Sequence, residues 1–268
     1  MVLAVVSILA TMFMPNLLVA RRRARYASWQ SIRKSNQIDS RCFAYYTFED
    51  GYGSRVENLA LAGTIDTPFS AEEFNARIMK NGAPCSTAWT TGRFRWKNAL
   101  YCNGIDTFVD CGRSAGWLMV KDECTVMAWV YAKEIDLNAI VTREFGLYFV
   151  SGQWGTGVSV ASGPATMGWA EANPLEVETW THLAVVYDGA QIKIYKDGYL
   201  AAGATNPNAY DGGITHAFED TNLTIGAFHA GLDTYADFWN GVIDDVALYK
   251  EALNAREIHD HYDRGRAR

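Results

Sequence analysis

Trp180-Thr-His-Leu-Ala-Val-Val-Tyr187, Asp188-Gly189, Gln191-Ile-Lys-Ile-Tyr-Lys196, Asp197-Gly198 and Tyr199-Leu-Ala-Ala202 follow one another almost without a break. In the middle run Ile192 and Ile194 share one face, and Lys193 and Tyr195 share the other. Each Asp-Gly step supplies the positive backbone angle that a tight hairpin turn needs. The spacing predicts three consecutive antiparallel strands. Upstream, Thr125-Val-Met-Ala-Trp-Val-Tyr131 reads as a further strand, with Met127 and Trp129 on a common face. From Cys42 onward, short apolar runs alternate with Gly, Asp and Asn, the habit of a β-sandwich or jelly roll. The end of the chain differs. Asn254 with Glu257 three residues on forms a capping box and predicts a short helix ending near Tyr262. Gly203 to Gly213 is polar and turn-rich and predicts a surface loop.

The chain has 268 residues, 49% apolar and 13% aromatic, enough for a sizeable core. Its net charge of −6 argues against nucleic acid as a partner, because phosphate binding needs a basic face. Five cysteines lie between positions 42 and 124, none in a CxxC pair, which argues against a zinc ribbon. In an exported domain one or two disulfides are expected. Cys102 and Cys111 flank the turn-like Asn103-Gly104 and are the candidates to bridge neighbouring strands. The odd count leaves at least one cysteine free or paired with another chain.

Several segments together resemble the laminin-G-like (concanavalin A-like) jelly-roll family. Ala44 to Gly53 resembles its opening strand and acidic-glycine turn. Asn98 to Val109 resembles the second element, and Cys124 to Tyr131 the central strand. Trp180 to Gly198 resembles the Trp-x-His hairpin, Asn222 to Gly226 the next strand, and Trp239 to Tyr249 the closing strand. The resemblance covers about 215 residues. It implies a mainly β fold, a two-sheet antiparallel jelly-roll sandwich over 39–268. It also implies one structural Ca2+, held by Glu49, Asp50, the Gly51 carbonyl and Asp244. Calcium wants several hard oxygens. Successive strand residues point to opposite faces, so Asp244 is expected to take part and Asp245 is not.

Relatives on this fold include laminarinase-type hydrolases with Glu-x-Asp-x-x-Glu on one strand, which sets two carboxylates about 5 Å apart on one sugar. The nearest match, Glu134-Ile-Asp-Leu-Asn-Ala139, lacks the second glutamate. No serine lies in a Gly-x-Ser-x-Gly turn. His182 belongs to a strand, and His259 and His261 do not face each other on a helix. With no catalytic residue assigned, the chain is expected not to be an enzyme. Tyr52, Trp89, Trp154, Trp169 and Trp239 are the candidate stacking faces for glycans.

The N-terminus is of another kind. Met1 to Ala20 carries no charge, and twenty helical residues span about 30 Å, a bilayer core. A cleavable signal would want a basic start. An ordinary anchor would place the basic run Arg21, Arg22, Arg23 and Arg25, and the β domain with it, in the cytoplasm. The stretch MVLAVVSILATMFMPNLLVARRRARYASWQSIRKSN resembles the N-terminal helix of type IV pilins and pseudopilins, in which an apolar run passes through a proline step, here Pro15-Asn16, into arginines. The family's N-methylated aromatic residue, its early glutamate and its basic leader are missing, so Met1 is read as a late start or a trimmed record. The resemblance implies an assembly helix over 1–38, with Pro15, Arg21, Arg22 and Arg23 as its marks. Its partners would be copies of itself or other pilin-like subunits. The place implied is the bacterial cell envelope: inner membrane before assembly, extracellular filament or periplasm after. Beyond Arg25, Tyr26, Trp29, Ile32 and Ile38 predict an amphipathic stretch packed on the β domain. The expected role is a structural or adhesive filament subunit. The alternatives are a membrane-tethered carbohydrate-binding module and, further off, a glycosidase.

Overall fold

The computed structural model describes residues 2–65, 67–135, 138–143, 145–150, 153–158, 166–169, 175–205, 213–214, 221–231 and 234–267. Among them, two antiparallel sheets face each other and a helix stands at either end of the chain: α1, Val2–Ile38, and α2, Ala255–Gly265. The first sheet runs, in spatial order, Tyr199–Thr205, Ile192–Lys196, Trp180–Tyr187, Cys124–Ala132, Asn240–Tyr249, Asn98–Asn103 and Trp89–Thr91. The opening strand Cys42–Tyr46 pairs with the far end of Asn240–Tyr249. The second sheet is centred on Asn138–Thr142, Thr224–Ile225, Thr107–Asp110 and Ala76–Lys80.

The predicted hairpins are present and in register: Leu183 pairs with Lys196 and Tyr187 with Ile192. Asp197 (φ 50°) and Gly198 (φ 79°) both take the left-handed backbone of a two-residue turn. A Cβ on Gly198 would come within 2.9 Å of Tyr262 Cβ, so the turn tip also needs glycine to accept α2. Alternation then divides the core. Val126, Ala128, Val130, Leu183, Val185, Ile243 and Leu248 point between the sheets and pack with Trp117, Trp154 and Trp239. Met127, Ala184, Val186, Ala247 and Tyr249 point outward and are covered by Leu253 and Ile258 at the α2 end.

α2 starts as expected: the Asn254 side chain accepts from the backbone N–H groups of Arg256 and Glu257, and Glu257 accepts from Asn254 N–H. The second half of α1 lies on the outer face of the first sheet. Trp29, Ile32 and Asn36 are buried, spaced by three and four residues as one helix face requires. Tyr249 donates its hydroxyl hydrogen bond to Asn36 Oδ1 at 3.0 Å. Ile38, expected on that face, is 77% exposed, because two residues beyond the inward Asn36 it falls about 200° round the helix. Among the described residues no helix is long and apolar enough to cross a membrane. The side chains of residues 1–13 and Pro15 lie outside the described set, so the expectation for that apolar run is left there.

One irregularity organises this face. Asp244 pairs with Trp129 and Ala247 with Met127, so the closing strand uses three steps where its neighbour uses two. The extra residue is a β-bulge, with Asp245 at φ 46°. The expectation that Asp244 and Asp245 point to opposite faces is therefore corrected. The bulge turns both carboxylates to the outer side, where Trp29 Nε1 donates to Asp245 Oδ2 at 2.6 Å and the Tyr45 hydroxyl to Asp245 Oδ1 at 3.2 Å. Trp29→Ala removes a fully buried ring and strips a donor from a buried carboxylate. It should cost about 3–5 kcal/mol of stability. Trp29→Phe should cost about 1–3 kcal/mol, because it keeps a buried ring but loses the donor and part of the packed volume. Denaturant titration of the two variants measures both, and limited proteolysis of α1 should quicken in the first.

Candidate functional site

The sequence-predicted calcium ligands converge only in part. Lys97, in the loop before Asn98–Asn103, sends a wholly buried ammonium among them. It donates to the Thr47 carbonyl, to Asp244 Oδ1 and, at 3.4 Å, to the Asn98 carbonyl. Asp245 Oδ1 at 3.5 Å and Glu49 Oε1 at 3.6 Å complete its surroundings. Three donors thus find three acceptors. Gly51 sits over the Asn98 side chain, 2.3 Å from where its Cβ would be. Asp50 is drawn elsewhere: burial raises its carboxyl, and the groups acting on it are Glu57 and Arg33. Arg93 lies beside Lys97. Its Nε reaches Asp244 Oδ2 at 3.1 Å, its Nη2 reaches Asp245, and its Nη1 donates to the Gly265 carbonyl at 2.7 Å. Burial pushes the Asp244 carboxyl up, and Lys97 and Arg93 oppose that rise. These residues do not fit a calcium ion: the centre of the oxygen set is taken by an ammonium that would repel it. Among the described residues no cluster of three or more His, Cys, Asp or Glu could hold a metal elsewhere.

The expected Cys102–Cys111 bridge is also corrected, since all five cysteines are free. Strand Asn98–Asn103 belongs to the first sheet and Thr107–Asp110 to the second, so the turn between them crosses the sandwich instead of joining neighbours. Cys42, Cys102, Cys111 and Cys124 are buried, and burial raises each of these thiols. Glu134 accepts from Asn240 Nδ2 at 2.7 Å, and Asp136 lies outside the described residues. Of the stacking candidates, Trp154 and Trp239 are in the core. Trp89 is half-buried and tied to the Gly53 carbonyl, Tyr52 is exposed, and the Trp169 side chain lies outside the described set.

A cavity of about 420 Å³ opens on the outer face of the first sheet, at the end that α1 leaves uncovered. Tyr131 and Trp180 face each other across neighbouring strands, rings 5.7 Å apart, and form an aromatic wall. Trp129 and Tyr262 stack at 5.8 Å below it. Arg93 lies 4.2 Å over the Trp129 ring, so the buried network also sets the cavity floor. Glu178, Asp197 and Arg266 add polar groups at the rim. Glu178 takes φ 58°, a strained setting for a residue with a side chain, held by its N–H to the Ala132 carbonyl at 2.7 Å. Burial raises the Asp197 carboxyl, and its bond from His182 N–H opposes that. Sequence reasoning missed this wall. The signal was present: Tyr131 continues the Met127–Trp129 face, and Trp180 opens the facing hairpin. A second depression, about 480 Å³, lies on the other sheet between Arg55, Arg77 and Asp110, and no aromatic ring lines it.

The superfamily model of concanavalin A-like lectins and glucanases, Laminin_G_3, matches residues 106–259, over half of the chain. The chain belongs to this superfamily. No curated protein matches its sequence. Among solved structures, domain 4 of AbnA, a GH43 extracellular arabinanase from Geobacillus stearothermophilus in complex with arabinotriose, is 16% identical. The match covers 83% of this chain and 98% of that one, with TM-score 0.52. Trypanosoma rangeli sialidase in complex with the inhibitor DANA is 16% identical, over 82% of this chain and 32% of that one, with TM-score 0.52. The binding domain of Paraclostridial Mosquitocidal Protein 1 is 9% identical, over 83% and 52%, with TM-score 0.57. This lectin/glucanase-type chain therefore spans about a third of the sialidase and half of the mosquitocidal binding domain. The expectation that the chain is not an enzyme is overturned here. Domain 4 of an arabinanase and about a third of a sialidase share its fold, so the missing Glu-x-Asp-x-x-Glu strand is no ground for excluding activity.

Two histidines behind the cavity, the buried His182 and the half-buried His261, give the domain a pH dependence. Burial pushes the His261 imidazole down to about 4, with Arg264 acting the same way and Asp39, Glu257 and Asp245 opposing. Burial also pushes His182 well down. In the unfolded chain each takes its proton near about 6.5. Between those values only the unfolded state is protonated, so stability should fall as pH drops from about 6.5 toward 4, by up to about 1.4 kcal/mol per unit for each group. Asp244, raised by burial, works in the opposite sense and softens the decline. His261→Gln cannot charge, so its unfolding midpoint should change less over that range in a pH series.

Proposed function

We propose that this chain is a saccharide-binding domain presented at a cell surface by its N-terminal helix, with the sugar held in the Tyr131–Trp180 cavity. The observation that carries this reading is the paired aromatic wall above polar groups of both signs. Aromatic faces pack against the C–H faces of sugar rings, and Glu178, Asp197 and Arg266 supply acceptors and donors for hydroxyls. A volume of about 420 Å³ lies in the range of small-ligand sites, about 300–1,000 Å³. The arabinotriose in the AbnA domain structure belongs to that protein and supports the ligand class only by likeness of fold.

The mode of presentation draws on α1. Beyond its docked half the helix leaves Met14, Leu17, Leu18 and Val19 exposed, followed by exposed Arg21, Arg22 and Arg23. Apolar side chains in water favour an apolar partner, and similar helices of other subunits in a pilin-like filament would provide one. Electron microscopy of purified chain and of cells should show filaments; only monomers in both would remove the filament part and leave a tethered module.

A second reading, hydrolysis of a bound glycoside, is favoured by one observation. Two carboxylates, Glu178 and Asp197, open on the same cavity, and the rise in Asp197 is the direction a general acid needs. A glycan array with calorimetry of the best ligand tests the main reading. Trp180→Ala should cost about 1–3 kcal/mol of binding, a loss of about tenfold or more, and Tyr131→Ala a similar amount. Equal affinity in both variants would place the sugar elsewhere. If bound glycans release reducing ends, Glu178→Gln and Asp197→Asn should stop the release while binding persists.

A further inference from the structure

We infer that the Lys97 side chain is this domain's resident cation, filling from within an oxygen cage of the kind that elsewhere takes a calcium ion, so that the fold needs no divalent metal and acquires that need when Lys97 is shortened. This is independent of the sugar-binding reading and is tested without a sugar.

The donor set is the first support. Five oxygens face one point: the carbonyls of Thr47 and Asn98 and the carboxylates of Glu49, Asp244 and Asp245. Hard neutral and anionic oxygens in that mixture are what calcium selects. A neutral core would not gather them, since buried carboxylates without a counter-charge are costly. Burial is the second support. Asp244 and the Lys97 side chain have no exposure, Trp29 closes the site with its ring 4.8 Å from the ammonium, and Arg93 closes the other side through Asp244 and Asp245. Charge is the third. Three carboxylates meet two cations, Lys97 and Arg93. Removing the lysine leaves a net deficit of two positive charges, the charge of one calcium ion. A lysine tethered by its own backbone needs no capture from solution, so the wild-type chain keeps this cation wherever calcium is scarce.

Thermal unfolding of the full chain, wild type and Lys97→Ala, in chelator and in millimolar calcium chloride, decides the matter. The wild-type midpoint should be the same in both. Lys97→Ala should melt lower in chelator and regain several degrees in calcium, because a ligand of the folded state stabilises by mass action. Terbium gives a second readout: bound in the cage beside Trp29, it should luminesce on tryptophan excitation in Lys97→Ala and stay dark in wild type. Glu49→Gln in the Lys97→Ala background should weaken both responses. If Lys97→Ala folds only with calcium present, the inference stands. It is overturned if the wild type loses stability in chelator, if folded Lys97→Ala ignores calcium and terbium, or if that variant stays unfolded with calcium as without it.

Discussion

Two adjacent carboxylates, Asp244 and Asp245, are buried on the same side of one strand, and the arrangement around them follows from that single constraint. A buried charge is tolerated only with a partner and a full set of hydrogen bonds. Lys97 and Arg93 answer the charge, and Trp29, Tyr45 and the Gly265 carbonyl complete the bonding. Those partners come from α1, the opening strand, the loop before Asn98–Asn103 and the end of α2. Four segments distant in sequence are thus pinned to one strand. Replacing the set with apolar residues of equal volume would often be neutral for stability, whereas deleting one member leaves another charge bare. The network therefore fixes which segments dock there more than it adds to total stability.

Local features were legible in the sequence and long-range ones were not. The Asp188-Gly189 and Asp197-Gly198 turns and the Asn254–Glu257 capping box are each written within a few residues, and the structure has all three. The laminin-G-like assignment survives because it rests on strand texture across the chain. The bulge at Asp245 was invisible because nothing in Ile243-Asp244-Asp245-Val246 tells where a neighbouring strand will fall out of step. That one extra residue reversed the expected direction of a carboxylate. Glu49 and Asp244 both lie beside one cation, but that cation is Lys97 from the chain's own loop, and Gly51 sits instead over the Asn98 side chain. Trp154 and Trp239 looked like sugar platforms by type, yet period-two alternation turns them into the core. Tyr131 and Trp180 form the wall because strand register sets them opposite each other, and register is a property of pairs.

The N-terminal helix reads differently once its docked half is known. Amphipathic spacing from Tyr26 to Asn36 is used against the sandwich, through Trp29 and Asn36 as well as through apolar packing with Phe94. Polar bonds to buried groups make this contact directional in a way that Leu or Ile alone would not. The docked half is therefore held in one orientation on the sheet, and Met14, Leu17, Leu18 and Val19, which precede it, are exposed.

The cavity and the buried network share Arg93. Its guanidinium is fixed at three places, by Asp244, Asp245 and the Gly265 carbonyl, and it lies over the Trp129 ring. Trp129 in turn stacks with Tyr262 beneath the Tyr131–Trp180 wall. A floor held this way has little rotamer freedom left to lose when a ligand arrives, which lowers the entropic cost of binding. The rim is the opposite case. Glu178 is held at an unfavourable backbone angle by one hydrogen bond, and such local strain gathers where a side chain must be aimed. A rigid aromatic floor beneath a rim carboxylate on a strained backbone is what the proposed saccharide site would need to orient a ring, and Arg93 ties that floor to the buried carboxylates.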